Sequence, residues 1–188
     1  MESLTPRTLD LSKSFQPLNL PLMNSQNSSA GSGHVASLHL HPPQPGAPLL
    51  AVDSIEVVAG KGVLGDARYF GRISSSTGQP SQRQVSLMER EQIAAHAAAL
   101  GLPAIAPGAV RANVETLGVD LVALVGHEIQ IGEAVLFLYE PRQPCAKMDV
   151  VCQGLRGLMM NNRQGVVAQV VRAGLIRAGD PITASTVR

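Results

Sequence analysis

One cysteine of the chain lies between two basic residues, in the stretch LYEPRQPCAKMD. A thiol acts as a nucleophile or as a ligand for a soft metal only as thiolate, and the positive charges of Arg142 and Lys147 favour that form of Cys145. Pro141 and Pro144 restrict the backbone of the same loop, so the sulfur is held with little conformational freedom. The spacing makes Cys145 the candidate for chemistry, although a lone cysteine in a turn is more often only a small buried apolar residue.

A second polar pair lies in VRANVE, which we predict to be a strand from Val110 to Glu115. Side chains two residues apart on a strand point to the same side, so Arg111 and Asn113 would place a forked donor beside an amide. That pair suits an anionic or heterocyclic ligand. From the spacing alone, a surface arginine with an asparagine entering a turn is the simpler interpretation.

The glycine-rich segment GKGVLGDARYFGR, residues 60–72, contributes Asp66 and Arg68. Its glycines allow positive φ angles and close approach of the backbone, so taken alone it is an ordinary turn. Segments that pair a glycine with an acid recur at 126–133 and 174–180, which indicates the hairpins of a barrel. This recurrence weakens a catalytic role for Asp66 without removing it.

Three histidines and the second cysteine are predicted to take no direct part in chemistry. His39 and His41 would share a strand face, as a metal pair does, but a zinc site normally needs three or four protein ligands and the sequence suggests no third one. Both are therefore predicted to face solvent. His96 lies off the apolar stripe of its predicted helix and is expected at the surface. Cys152 is predicted to be structural, because buried free cysteines are usually inert.

The composition indicates one domain with an aliphatic core. The chain has 188 residues, 3% aromatic residues and no tryptophan. Eighteen glycines and thirteen prolines imply many turns, which suits a barrel of short strands better than a helix bundle. Two cysteines are too few for a disulfide scaffold or a four-thiolate iron–sulfur cluster, which fits a reducing, cytoplasmic compartment. We find no apolar run of about 18 residues that would predict a membrane span.

The charge balance argues against nucleic acid and membranes as partners. Fifteen basic and fourteen acidic side chains give a net charge of +1, so no bulk field attracts the chain to a polyanion or a lipid surface. Twelve of the basic residues are arginines and three are lysines. Arginine binds phosphate and carboxylate in a bidentate manner, which favours a phosphorylated small ligand, although a solvated arginine-rich surface explains the bias nearly as well.

The hydrophobic pattern divides the chain into a tail and a domain. Residues 1–33 are rich in Ser, Asn and Pro and are predicted to be a disordered tail or linker, and residues 34–188 are predicted to form the domain. The alternation of apolar residues and the turn signals predict strands at 35–40, 50–58, 110–115, 128–131, 134–139, 166–171 and 182–186.

Two helices are predicted among these strands. The first runs from Ser86 to Leu100, where Ser86 and Glu89 form a capping box and Gly101 follows the end. A second helix is predicted over residues 150–162, after the cysteine loop. The apolar stripe of the first helix is predicted to consist of Ile93, Ala94, Ala97 and Leu100.

The order of these segments resembles the MOSC domain, the module found at the C-terminus of molybdenum cofactor sulfurases and in related stand-alone proteins. The resemblance covers about residues 34–188, and Pro-Arg-x-Pro-Cys is its most diagnostic part. The matching pieces are G-V-L-G-D at 62–66, R-A-N-V at 111–114, G-x-x-I-x-I-G-E-A-V-L ending at 136, P-R-Q-P-C at 141–145, G-x-V-A-x-V-V at 165–171 and G-L-I-x-x-G-D at 174–180.

The resemblance implies a mostly β barrel with a few short helices and a pocket for a pterin-type molybdenum cofactor, molybdopterin. Cys145 would be the metal or sulfur ligand of that pocket, and Arg111 with Asn113 matches the Arg-x-Asn segment of the family. The phosphate of the cofactor needs fixed cations. The candidates by residue type are Arg68, Arg111, Arg142 and Arg163, and Lys147 beside the cysteine is assigned to the same pocket.

Asp66 falls on the Gly-Asp step of the family, where a histidine often follows a little later. Tyr69 and Phe70 occupy that neighbourhood in this chain. The departure leaves the role of Asp66 in the cofactor site open.

Three functions remain open at this point. The first is an oxidoreductase that reduces N-hydroxylated small molecules with an external electron donor, since the chain lacks cysteines for an iron–sulfur cluster and a glycine fingerprint for a dinucleotide. The second is a sulfur carrier that receives a persulfide on Cys145 from a cysteine desulfurase. The third is a non-catalytic module that binds the molybdenum cofactor. Nothing in the sequence specifies the oligomeric state.

Overall fold

The computed structural model describes residues 33–184, which form a mostly β structure with short helices. This confirms the predicted fold class. Residues 1–32 of the predicted tail lie outside the described residues, as do residues 185–188. The strands are β1 (Gly33–Leu40), β2 (Leu50–Val52), β3 (Ser54–Val58), β4 (Gly62–Val63), β5 (Val85–Glu89), β6 (Val114–Leu117), β7 (Glu128–Ile131), β8 (Ala134–Pro141), β9 (Val166–Arg172), β10 (Gly174–Arg177) and β11 (Pro181–Ala184), and the helices are α1 (Arg90–Ala99), α2 (Lys147–Val151) and α3 (Leu155–Leu158).

Seven strands close into a barrel in the order β11-β7-β8-β9-β5-β6-β1, and β1 returns to pair with β11. The β5–β6 pair is parallel, whereas the other neighbours in the barrel are antiparallel. Strand β2 lies beside β1, and β10, β3 and β4 form a separate small sheet. Short antiparallel strands with glycine turns are what the composition predicts.

Aliphatic side chains form two cores. Val57, Leu87 and Leu136 belong to the barrel core, whereas Met88 and Met148 belong to a second core beneath the helices. Successive residues of β5 point to opposite faces, so this strand contributes Leu87 to one core and Met88 to the other. The second core anchors α2, and α2 begins directly after the cysteine loop.

The first predicted helix begins four residues later than expected. Ser86 and Glu89 do not form a capping box, because both belong to strand β5. The Ser86 hydroxyl donates to Asn113 Oδ1 at 2.7 Å, and Glu89 Oε1 accepts a hydrogen bond from the Leu121 amide at 3.0 Å. Pairing of β5 with β6 and β9 overrides the local helix signal, and α1 starts at Arg90.

The buried face of α1 also differs from the predicted stripe. His96 is fully buried and its Nε2 lies 2.8 Å from the Arg163 carbonyl oxygen, so the prediction of a surface histidine is wrong. Ala94, which was expected in the stripe, is exposed, while Ile93 and Ala97 are buried as predicted. Gly101 follows the helix with a φ of +68°, which fits its predicted role as a stop signal.

Three other predicted elements have different limits in the structure. The strand predicted over 50–58 is divided into β2 and β3, which belong to different sheets. The strand predicted from Val110 begins at Val114, and the helix predicted over 150–162 is replaced by α2 and α3, with Gly154 between them at a φ of +89°. None of the helices within residues 33–184 has the length and apolar character needed to cross a bilayer.

Candidate functional site

The cysteine loop, residues 142–146, connects the end of β8 to the start of α2. The Cys145 carbonyl accepts a hydrogen bond from the Met148 amide at 3.0 Å, so the loop leads directly into the first helical turn. The Cys145 side chain is exposed, and both cysteines are free thiols. The pocket in front of it, called the cysteine pocket below, is lined by Cys145 and by the cations Arg68, Arg83, Arg111, Arg142 and Lys147.

Arg142 is the most deeply buried of these cations, with 8% of its surface exposed. Its Nη1 donates to the Gln164 carbonyl at 3.3 Å, and its Nη2 donates to the carbonyls of Val110 and Arg111 at 3.3 and 3.1 Å. Burial lowers the pKa of Arg142 to about 10, so the side chain is still protonated at neutral pH. Arg142 thus ties the cysteine loop to the segment before β6.

Arg111 lies on the wall of the pocket, with an unusual backbone φ of +60°. A positive φ is unfavourable for a residue with a side chain, so the surrounding hydrogen bonds must hold it there. Its Nη1 donates to the Ala47 carbonyl at 2.8 Å, and its Nε is buried without a hydrogen-bond partner in the described part of the chain. Burial, followed by repulsion from Arg68, lowers the pKa of Arg111.

The remaining cations of the pocket are exposed. The Arg68 guanidinium lies 5.1 Å from the centre of the Tyr69 ring, in a cation–π contact. Lys147 is exposed at the start of α2. Arg83, which the sequence did not single out, pairs with Glu140 at 2.8 Å. The Arg163 side chain is also exposed, but it is not part of the pocket lining, unlike the other predicted arginines.

Asp66 is buried at the centre of a hydrogen-bond network behind the pocket. Its Oδ2 accepts hydrogen bonds from the His41 amide at 2.9 Å and from Asn113 Nδ2 at 2.7 Å. Its Oδ1 accepts from the amides of Arg68 and Tyr69, both at 3.0 Å. Burial alone would raise the pKa of Asp66, but the hydrogen bonds from His41 outweigh it and hold the pKa at about 2.

The His41 ring completes this network, because its Nδ1 lies 2.8 Å from Asp66 Oδ2. A carboxylate only accepts hydrogen bonds, so Nδ1 carries the proton and donates it. Burial lowers the pKa of His41 despite the neighbouring carboxylate, so the imidazole is neutral at pH 7. His39 and His41 are 1% and 2% exposed, so the prediction that they face solvent is wrong.

The structure therefore separates the predicted residues into two groups. Arg68, Arg111, Arg142, Lys147 and Cys145 meet at the cysteine pocket. Asn113 and Asp66 meet each other in the buried network instead. Arg111 and Asn113 do not share a strand face, because the strand begins only after them, at Val114.

Besides Arg83, the sequence did not predict that His41 belongs to the buried network beside the site. The resemblance implies that a histidine often follows the Gly-Asp step, and here His41 contacts Asp66 from the segment that follows β1. Two sequence features could have indicated this role. No histidine follows Asp66 closely along the chain, and the HLHP sequence contains His41. Within residues 33–184, no cluster of three or more His, Cys, Asp and Glu side chains could hold a metal ion.

A second cavity adjoins the cysteine pocket, and we call it the apolar groove. Its volume is about 470 Å³, and Arg111 and Lys147 line it as well as the cysteine pocket. The rest of its lining is apolar, and includes Pro48, Leu49, Ala109, Val150 and Val151.

Comparison with known proteins gives a consistent result for the fold. The model of the family described as MOSC domain matches residues 52–183. The YuaD protein from Bacillus subtilis has a similar structure, with a TM-score of 0.69, 22% sequence identity, and coverage of 80% of this chain and 94% of that chain.

YiiM from Geobacillus stearothermophilus is similar with a TM-score of 0.63 and 18% identity, covering 81% of this chain and 74% of that chain. YiiM from Escherichia coli has a TM-score of 0.59 and 18% identity, covering 82% of this chain and 71% of that chain. At these identities the likeness shows the fold alone. A search of curated proteins found no match.

Proposed function

Because this chain belongs to the MOSC domain family, we propose that it binds a molybdenum cofactor and reduces N-hydroxylated small molecules with electrons from an external donor. MOSC domains are generally associated with molybdenum cofactor binding. The observation that carries the proposal is the cysteine pocket, in which an exposed thiol lies among five cationic side chains.

The chemistry of the pocket lining fits such a cofactor. A thiolate is a suitable ligand for a thiophilic metal, and Cys145 is accessible to one. Arg68 and Lys147 are exposed cations that can pair with phosphate oxygens. Arg111 Nε and Gln164 Oε1 are buried without hydrogen-bond partners among residues 33–184, so the pocket wall offers a donor and an acceptor to a polar heterocycle.

The bound cofactor would supply a metal centre capable of two-electron redox chemistry. In the overall reaction the N–O bond of the substrate breaks, two electrons and two protons are consumed, and the oxygen leaves as water. Cys145 would hold the metal, while Arg68 and Lys147 bind the anionic end of the cofactor. Arg142 fixes the cysteine loop through its three backbone hydrogen bonds.

An external electron donor is part of the proposal. The chain has two cysteines, which cannot ligate an iron–sulfur cluster through four thiolates, and it has no glycine fingerprint for a dinucleotide after a strand. The reducing equivalents would therefore come from a separate redox protein or, in an assay, from a chemical reductant.

The first experiment measures cofactor content. The full chain is purified from a host that synthesises molybdenum cofactor, and molybdenum and oxidised pterin are quantified per chain. We expect both in the wild type and a loss of molybdenum in Cys145→Ser. Cys152→Ser is the matched control, since Cys152 is not part of the pocket lining, and it should retain the metal. Molybdenum retained unchanged in Cys145→Ser would contradict the ligand assignment.

The second experiment measures turnover. The wild type should reduce an N-hydroxylated base to the amine with a chemical reductant, and Cys145→Ser should not. Cofactor binding without turnover of N-hydroxylated compounds would instead support a non-catalytic binding module.

The exposure of Cys145 also favours a second candidate function, transfer of sulfur. In this reaction the Cys145 thiolate attacks the outer sulfur of a persulfide on a cysteine desulfurase, the S–S bond of the donor breaks, and the desulfurase leaves as a thiolate. Pyridoxal phosphate would belong to that partner. Intact-mass spectrometry after incubation with a desulfurase and cysteine distinguishes the two functions. One added sulfur atom that is absent in Cys145→Ser, in a chain that binds no cofactor, would support the carrier.

A further inference from the structure

The apolar groove has a composition that the fold itself does not require. Its wall includes Val150 and Val151 of α2, which are 86% and 40% exposed. Helix α2 is anchored to the second core by Met148, the buried residue of that helix. The two valines therefore contribute little to folding, and they leave an apolar surface beside the cysteine pocket.

The groove and the cysteine pocket adjoin each other. Arg111 and Lys147 line both cavities, so they lie at the boundary between them. Apart from these two cations, the groove is lined by Gly, Pro, Leu, Ala and Val, whose side chains have no hydrogen-bonding groups. A ligand in the groove would thus be held by shape and apolar contact, with positive charge at the end nearest Cys145.

The size and charge of the groove define the class of ligand. A volume of about 470 Å³ lies within the range of small-molecule sites, which is roughly 300–1,000 Å³. No carboxylate from the described part of the chain lines the groove, so a cationic ligand would meet only Arg111 and Lys147. Repulsion disfavours a cation there, while a neutral or anionic group is accepted.

We propose that the apolar groove is the substrate subsite for the ring system of an aryl compound, whose polar end points past Arg111 and Lys147 towards Cys145. The subsite selects apolar aryl rings with a neutral or anionic polar group and discriminates against amidinium-type cations. This inference rests on the proposed function, because it names the class of N-hydroxylated compound that the same site would reduce.

The test uses a matched pair of probes that differ in charge. Binding of 2-naphthoate and of 2-naphthamidine, which is a cation at neutral pH, is measured by isothermal titration calorimetry with the full chain. We expect 2-naphthoate to bind about tenfold or more tightly than 2-naphthamidine, since one favourable ion pair near a partly buried site is worth roughly that factor. Equal affinities, or tighter binding of the cation, would overturn the proposal.

Two variants locate the bound probe. Val150→Glu should weaken 2-naphthoate binding by about tenfold, because it removes apolar contact and adds a carboxylate beside an anion. Ile73→Glu is the matched control, because Ile73 is an apolar residue that is 56% exposed and does not line the groove. Lys147→Ala should reduce the preference for the anion. If Val150→Glu and Ile73→Glu have equal effects, the probe does not occupy the groove.

The outcomes for this subsite and for the proposed function are distinct. A chain that carries molybdenum and reduces an N-hydroxylated base, but binds 2-naphthoate independently of Val150, keeps the reductase function and loses the subsite. A chain that binds 2-naphthoate through Val150 and carries no molybdenum keeps the groove as an aryl-anion site and loses the reductase. With both properties present, 2-naphthoate should inhibit reduction competitively, and Val150→Glu should relieve that inhibition.

Discussion

The network around Asp66 and the cysteine pocket share the segment of residues 66–69, and they differ in whether their charged groups are paired. In the buried network, both oxygens of Asp66 accept hydrogen bonds from donors on three different segments. In the pocket, Arg68 and Lys147 remain exposed, and the positive charge of Arg68 contributes to lowering the pKa of Arg111.

The cluster of like charges in the pocket is maintained by the backbone around it. Cations that line one pocket repel one another, so the backbone must hold them together. The Asp66 carboxylate fixes the amides of Arg68 and Tyr69, and Arg142 fixes the cysteine loop to the segment before β6. The buried network around Asp66 is therefore the rigid support, called the frame below, and the cationic pocket is the part left available for a ligand.

The largest expected effect comes from breaking the frame. Asp66→Ala removes the acceptor for His41 and Asn113 and leaves their donors buried, so the free energy of unfolding should fall by at least about 3 kcal/mol. Asp120→Ala is the control, because exposed Asp120 accepts a single local hydrogen bond and its loss should remove about 1 kcal/mol or less. Urea denaturation measures both. Similar losses in the two variants would mean that the network is not the frame.

Arg142 is the buried cation of the cysteine pocket, and its replacement tests whether a buried cation supports the fold more than an exposed one. Arg142→Ala leaves three backbone carbonyls without their donor, so the free energy of unfolding should fall by about 2–4 kcal/mol. Lys147→Ala also removes a cation from this pocket, but Lys147 is exposed. This variant should therefore change the free energy of unfolding by no more than about 0.5 kcal/mol. If both variants lose the same stability, burial does not distinguish the two cations.

Acid should lower the free energy of unfolding through the buried groups of the frame. The pKa of Asp66 is about 2 in the folded chain, below its ordinary value near 3.9, so the unfolded chain binds a proton that the folded chain does not. The stability from Asp66 is present above about pH 4 and should be lost as pH falls towards 2, by roughly 2 kcal/mol.

The lowered pKa of His41 acts in the same direction, starting below about pH 6.5. Urea denaturation at several pH values measures the sum of the two effects. Asp66→Asn should show a smaller loss between pH 4 and pH 2. An equal loss in that variant would assign the acid sensitivity to other groups.

A change in stability as small as that of Lys147→Ala is expected at the residue most important for the proposed chemistry. Cys145 is exposed, so Cys145→Ser should change the free energy of unfolding by no more than about 0.5 kcal/mol. A large loss of stability would show that Cys145 belongs to the frame, and would complicate any interpretation of lost molybdenum in the same variant.

The sequence predicted the barrel and the main features of the cysteine loop, because both depend on local signals. Short apolar strands between glycine turns predicted β7, β8 and β9 close to their observed limits. Two prolines and a change of pattern after β8 placed Cys145 in a loop before a helix, which is where it lies.

The errors arose where distant segments decide the outcome. Ser86 and Glu89 have the local pattern of a helix start, but pairing with β6 and β9 makes them part of a strand. His41 and His96 have polar side chains in short motifs, and their burial depends on Asp66 and on the Arg163 carbonyl, which are 25 and 67 residues away. The sequence pattern of one short segment contains no information about such distant partners.

The closure of the barrel by β1 and β11 has a consequence for how the chain folds. Gly33 pairs with Ile182, so the final seam joins segments separated by nearly the whole described chain. Closing so long a loop is entropically unfavourable, and contacts of this kind slow folding. Of the described strands, β1 emerges first during synthesis, and the edge that pairs with β11 stays open until β11 is made. This unpaired edge of β1 exposes the nascent chain to pairing with another copy of the same chain.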